Sequence, residues 1–128
     1  MSASVYSNLF ANYSFFYDLP DTSTIGGIGI FIRTNLNPVL RQDLKIKSYT
    51  NLRIENLWFE VTSASNNKYI IGGLYRHPNQ PIPIFNDALS DVLDLIPNKH
   101  CIIAGDINTD LLKFDINVPT ILNTSTLY

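Results

Sequence analysis

The sequence has little charge, one cysteine and no long apolar run. Charged residues make up 16% of the chain and the formal net charge is −2, so no basic field attracts nucleic acid nonspecifically. The single cysteine, Cys101, excludes an internal disulfide and suits a reducing compartment. No stretch approaches the roughly 20 apolar residues of a membrane span, and the N-terminus lacks the pattern of a signal peptide. These absences predict an intracellular protein of the nucleus or cytoplasm with no membrane partner, and they leave the oligomeric state open.

Acidic residues are absent from the first part of the chain, where none precedes Asp18. Basic residues are concentrated in one segment, with Arg41, Lys45, Lys47 and Arg53 falling between residues 34 and 53. Such a cluster is typical of a solvated face, and a path along a phosphate backbone is the alternative.

What is present favours one globular domain. The chain has 128 residues, of which 45% are hydrophobic, enough to form a core and too few for two domains. Period-two alternation, continuous apolar runs and one amphipathic stripe predict the secondary structure. The predicted strands are 13–17, 28–33, 54–61, 68–75 and 100–105, a helix covers 84–96, and a polar turn covers 63–67. Close backbone packing explains Gly26, Gly27 and Gly29 better than a phosphate cradle does, because no phosphate-loop pattern follows them.

The apolar run that begins at Cys101 stops abruptly at Gly105, Asp106 and Asn108. Such a run predicts a strand buried on both faces, with Asp106 and Asn108 on one side of its C-terminal end. A carboxylate and a carboxamide placed together suit a metal, a water or an anion, and the alternative is an Asx-turn that closes the strand. Because a helix separates this strand from the one ending at Tyr75, both strand ends are predicted to face one rim.

Four sequence blocks in this order resemble a known family. They are residues 26–30 (GGIGI), 55–58 (ENLW), 75–79 (YRHPN) and 105–113 (GDINTDLLK). Together they resemble the endonuclease/exonuclease/phosphatase superfamily, and within it the endonuclease domain of non-LTR (LINE-type) retrotransposons, which accompanies a reverse transcriptase. The resemblance implies an α/β fold, a four-layer sandwich of two mostly antiparallel sheets with outer helices, of which residues 1–128 are expected to form a single incomplete domain.

The resemblance also implies a reaction, metal-dependent hydrolysis of DNA phosphodiester bonds with Mg²⁺ or Mn²⁺. In this family the aspartate matched by Asp106 aligns the attacking water, and it bears only indirectly on the metal. The residues matched by Asn108 and Tyr75 contact the scissile phosphate, and the one matched by Asn79 touches the DNA backbone. Arg76 is a further candidate for binding phosphate.

Two family features are not matched here. The metal-binding glutamate lies upstream of the Gly-Gly strand, where residues 1–17 contain no acid, and the family's late Asp-His pair has no counterpart before Tyr128. His77 and His100 are interpreted as structural or solvated rather than as substitutes. The chain is therefore expected to be a weakly active or inactive endonuclease fragment. The alternatives are a noncatalytic interaction module and a phosphatase branch of the superfamily acting on a phosphorylated lipid or sugar.

Overall fold

The computed structural model describes residues 10–20, 26–48, 52–96 and 100–109. The sequence also predicts one helical turn over 109–113 and a helix stop at Pro97, and these two predictions lie wholly or partly outside the described ranges. The described elements are β1 (Tyr13–Asp18), β2 (Ile28–Arg33), β3 (Val39–Leu40), β4 (Ile54–Thr62), β5 (Lys68–Arg76), α1 (Ile82–Asp94) and β6 (His100–Asp106).

The strands form two sheets. In the smaller sheet β1 pairs antiparallel with β2, and the larger sheet has the order β3-β4-β5-β6. Within the larger sheet β3, β4 and β5 are antiparallel neighbours, whereas β6 runs parallel to β5. The parallel pair requires a crossover connection, which α1 supplies. The C-terminal ends of β5 and β6 therefore lie together, as predicted.

Apolar side chains on the two faces of the larger sheet form two separate cores. On one face Phe59 and Leu57 of β4 pack with Ile32 of β2, so the smaller sheet covers this side. On the other face Trp58 and Ile70 pack against the apolar stripe of α1. Alternation along β4 sends neighbouring residues to opposite cores. The described part of the chain is thus a mixed α/β arrangement of sheet, sheet and helix, which confirms the predicted fold class as a fragment of such a sandwich.

The helix α1 begins two residues earlier than its apolar stripe predicted. Pro81 precedes it and Pro83 lies in its first turn, where the missing N–H of proline costs no helical hydrogen bond. Phe85, Leu89 and Val92 are buried against the sheet, as the stripe indicated. No helix among the residues described is long and apolar enough to cross a membrane.

The strand β6 corrects one prediction. Its apolar run indicated burial on both faces, yet Ile102 is 55% exposed and Ile103 is 38% exposed. The reason is topological, because β6 is the outer strand of its sheet in the described chain and pairs with β5 alone. Residue type predicted the strand correctly, but burial depends on which other elements cover it.

Candidate active site

Three polar side chains lie in one row across the ends of neighbouring strands. Glu55 of β4 pairs with Tyr75 of β5, and Tyr75 pairs with Asp106 of β6. Residues paired directly across strands project from the same face. Two strand spacings separate the backbones of Glu55 and Asp106, roughly 10 Å. These three residues, together with His77 just beyond Tyr75, are called the strand-end rim below.

Asp106 closes its strand with a turn. The Oδ1 atom of Asp106 accepts a hydrogen bond of 2.8 Å from the backbone N–H of Asn108, and Asn108 has a φ of +49°. This is the Asx-turn that the sequence left as an alternative. Since β6 ends at Asp106, strand alternation does not extend to Asn108. The turn uses one oxygen of the exposed carboxylate, so the other can still accept a hydrogen bond.

Asn108 joins the ends of the two parallel strands. Its side-chain nitrogen donates a hydrogen bond of 2.6 Å to the carbonyl oxygen of Arg76. The same nitrogen carries a second N–H, and the amide oxygen remains an acceptor. A contact between Asn108 and a substrate phosphate is chemically compatible with this position and stays a prediction.

Gly105 allows β6 to approach β5. Its φ is +148°, and a Cβ atom there would lie 1.8 Å from the carbonyl oxygen of Leu74. No L-residue fits so close to a neighbouring backbone. The glycine of the Gly-Asp-x-Asn block is therefore needed to bring Asp106 into register with Tyr75.

Arg76 is buried and its donors bind the protein itself. The residue is 3% exposed, and its Nε atom donates to the carbonyl of Ile107 at 2.5 Å. Its two terminal nitrogens donate to the carbonyls of His77 and Gln80, to the carbonyl of Asn108 and to the hydroxyl of Thr109. Arg76 thus links the segment after β5 to the segment after β6 through hydrogen bonds. All five guanidinium N–H groups therefore have acceptors within the protein, and a contact between Arg76 and phosphate stays a prediction.

Glu55 is the buried carboxylate of the strand-end rim. It is 3% exposed, and its Oε2 atom has no hydrogen-bond partner among the described residues. Its Oε1 atom lies 3.4 Å from Nε2 of His77. The backbone at Gly26 covers this carboxylate, because a Cβ there would lie 3.2 Å from Oε1. The close packing predicted for the glycines before β2 is confirmed at this position.

Tyr75 and His77 are in contact on the rim. Their ring centroids lie 5.2 Å apart at an interplanar angle of 71°, an edge-to-face arrangement that fixes both rings. Tyr75 is half-buried, and Asn79 lies exposed on the turn that follows. The structure thus brings Tyr75, His77 and Asp106 to one rim, with Asn79 at its margin. His100 lies at the opposite end of β6, where its ring packs near Tyr69.

A divalent cation does not fit the residues described. They contain no group of three or more His, Cys, Asp or Glu side chains that could hold a metal ion. The rim supplies Asp106 and Glu55, but these belong to strands two spacings apart. The Mg²⁺ or Mn²⁺ implied by the resemblance therefore has no evident set of ligands here.

The basic cluster is largely paired with acidic side chains. Arg41 lies 2.7 Å from Asp43 and 3.5 Å from Glu60, and Lys45 lies 2.6 Å from Asp18. The hydrogen bond to Asp43 raises the pKa of Arg41 above its ordinary value. At least two of the four clustered cations are therefore engaged, which limits the predicted path for a phosphate backbone.

Sequence reasoning did not assign a role to Glu55 or to its contact with His77. The signal was present, because Glu55 alternates in phase with Leu57, Phe59 and Val61, which form an apolar face. A charged residue on such a face needs a partner. That partner comes from a segment more than 20 positions away, which no local pattern reveals.

Comparison with known proteins gives one match. The family model described as "Endonuclease/Exonuclease/phosphatase family" matches residues 2–125, nearly the whole chain. Comparison with curated proteins gives no match, and neither does comparison with solved structures.

Proposed function

The chain belongs to the endonuclease/exonuclease/phosphatase family, whose reactions are of the nuclease and phosphatase type, and we propose from this that it is an endonuclease domain of a LINE-type retrotransposon. Its substrate is then a DNA phosphodiester bond, and its place of action is the nucleus or cytoplasm. The observation that carries the proposal is the register that puts Tyr75 beside Asp106 at the ends of two parallel strands. The four sequence blocks named above support the retrotransposon assignment.

The strand-end rim contains the groups that are needed when water attacks a phosphodiester. The oxygen of Asp106 that Asn108 does not use accepts an O–H of the attacking water and aligns it. The hydroxyl of Tyr75 and the second N–H of Asn108 donate hydrogen bonds to the phosphate oxygens, where negative charge builds. The water oxygen bonds to phosphorus and releases one proton to solvent as the bond to the leaving oxygen breaks, and the leaving oxygen takes a proton from solvent.

We expect slow turnover. A bound cation stabilises transition-state charge by several kcal/mol, and the described residues assemble no group that could hold one. Tyr75 and Asp106 then act mainly by positioning the water and the phosphate.

The test is nicking of supercoiled plasmid by the purified chain in Mg²⁺. The Asp106→Ala variant should lose nicking by about 10²-fold or more, whereas Asp91→Ala should leave it unchanged because Asp91 is exposed on α1. A parallel reaction in EDTA measures dependence on cation. Equal nicking by wild type and Asp106→Ala would identify a contaminating nuclease and refute the assignment. Phosphate release from a phosphorylated sugar without nicking would favour the phosphatase branch.

A second function is favoured by the exposed outer strand. In the described chain β6 forms hydrogen bonds with β5 alone, and it carries the exposed Ile102 and Ile103. An apolar strand with a free edge pairs readily with another chain. If the folded protein nicks no DNA and associates through this strand, it is an interaction module, and Ile102→Lys should prevent that association.

A further inference from the structure

The carboxylate of Glu55 is in an unfavourable place for a purely structural residue. Its neighbours on the same face of β4 are Leu57 and Phe59, and its own side chain is 4% exposed. Burial of a carboxylate is strongly unfavourable unless charge or hydrogen bonds compensate it. One of its oxygens has no partner in the described part of the chain. The compensation that the structure offers comes from His77.

The geometry of His77 makes its two ring nitrogens different. Nε2 is the nitrogen directed at Glu55, at 3.4 Å. A carboxylate at that nitrogen favours the tautomer in which Nε2 carries the proton, so that Nδ1 presents a lone pair. The edge-to-face contact with Tyr75 restricts rotation of the ring.

The backbone of His77 is also fixed. Its carbonyl oxygen accepts hydrogen bonds from the guanidinium of Arg76, at 3.2 Å, and from the N–H of Gln80, at 2.9 Å. The side chain is nevertheless 31% exposed. The ring of His77 is thus oriented by Glu55 and Tyr75 while part of it remains accessible to solvent. A molecule bound at the strand-end rim can therefore contact it.

We propose that Glu55 and His77 form a carboxylate–imidazole pair that presents Nδ1 of His77 to the attacking water beside Tyr75. The proposal rests on the proposed function. His77 is then a catalytic residue and Glu55 a positioning residue. As the water oxygen bonds to phosphorus, one water proton passes to Nδ1, and the bond between phosphorus and the leaving oxygen breaks. The leaving oxygen takes a proton from solvent, and the imidazolium later returns its proton to solvent.

The first test observes the imidazole without any turnover. Nitrogen-15 NMR of the full chain in EDTA, at mildly alkaline pH where a free imidazole is neutral, reports the tautomer of each histidine. His77 should be mainly the Nε2–H tautomer, and the Glu55→Gln variant should show a mixture of tautomers. Glu60→Gln is the matched control, since Glu60 on the same strand pairs with Lys68 instead. The same His77 tautomer populations in wild type and Glu55→Gln would overturn the pairing.

The second test uses the dinucleotide TpT as a phosphodiester probe. Added TpT should shift the Nδ1 signal of His77 and leave that of His100 unchanged, because His100 lies at the far end of β6. No shift at His77 would overturn its contact with substrate.

Plasmid nicking separates this inference from the proposed function. His77→Gln should lower the nicking rate about 10²-fold or more, Glu55→Gln about 10- to 100-fold, and His100→Gln should not change it. If wild type and His77→Gln nick at the same rate, the catalytic role of the pair is refuted and the endonuclease assignment stands. Absence of nicking in wild type refutes the endonuclease assignment and the catalytic step, whereas the tautomer measurement still decides whether the pair exists.

Discussion

At the scale of single residues, the site depends on side chains that bind the protein as much as on those that face a substrate. Arg76 was a candidate phosphate ligand from its place after Tyr75, yet its guanidinium binds carbonyls on both strand-end segments. The sequence placed Arg76 directly after Tyr75 at the end of β5, which the structure confirms. It could not give the role, because the acceptors come from residues some 30 positions away, at Ile107 and Asn108.

Replacing Arg76 by lysine should destabilise the fold. Lysine keeps the charge but offers three donors on a flexible stem in place of a planar fork. We expect the free energy of unfolding to fall by about 2 to 4 kcal/mol in urea titrations. Arg33→Lys is the control, since Arg33 is exposed and donates from Nε to the Tyr13 hydroxyl. It should leave the urea midpoint nearly unchanged. An Arg76→Lys variant of unchanged stability that binds DNA less tightly would instead favour the phosphate contact.

Stability should depend on pH through Cys101. Burial raises the pKa of the Cys101 thiol, so the folded chain holds this proton more tightly than the unfolded chain does. The contribution is complete below the ordinary thiol pKa and is lost as pH rises through the raised folded-state pKa. Urea titrations across this range should show the stability difference between wild type and Cys101→Ala shrinking with increasing pH. A difference that stays constant would contradict the shift.

At the scale of elements, the sequence predicted the strands well and their surroundings less well. Alternation identified β2 and β4, and a continuous apolar run identified β5, all nearly to the residue, because both patterns are local properties of the sequence. It also predicted that the helix between β5 and β6 brings Tyr75 and Asp106 to one rim. It was wrong about the burial of β6, since an outer strand and an inner strand can have the same apolar residues.

The pairing of β6 with β5 should fail when Gly105 is replaced. Gly105→Ala places a Cβ against the Leu74 carbonyl at a positive φ, so β6 must move away and take Asp106 with it. We expect a loss of about 3 kcal/mol or more in the free energy of unfolding. Ala104→Gly changes the neighbouring residue without adding an atom and should cost about 1 kcal/mol or less. Equal urea midpoints for Gly105→Ala and wild type would show that β6 does not need this close approach.

At the scale of the whole molecule, part of the positive charge in the described chain is engaged by acidic side chains rather than left open to a polyanion. The net charge is −2. Some of the basic side chains that cluster between residues 34 and 53 form ion pairs with acidic side chains from other parts of the fold. Lys45 forms an ion pair with Asp18, which lies on β1 in the smaller sheet. The sequence revealed the cluster but not this neutralisation, because the two residues are 27 positions apart.

Under the proposed function, this neutralisation sets the salt dependence of DNA binding. Each phosphate contact adds about 0.9 to the slope of log affinity against log salt concentration, so the slope for wild type should be shallow. Asp18→Asn releases Lys45 and should steepen the slope by about one contact. Asp91→Asn makes the same change in net charge on the exposed face of α1 and should leave the slope unaltered. Fluorescence anisotropy with a labelled duplex measures all three slopes. Equal steepening in both variants would mean that DNA responds to the net charge of the protein rather than to the segment that carries Lys45.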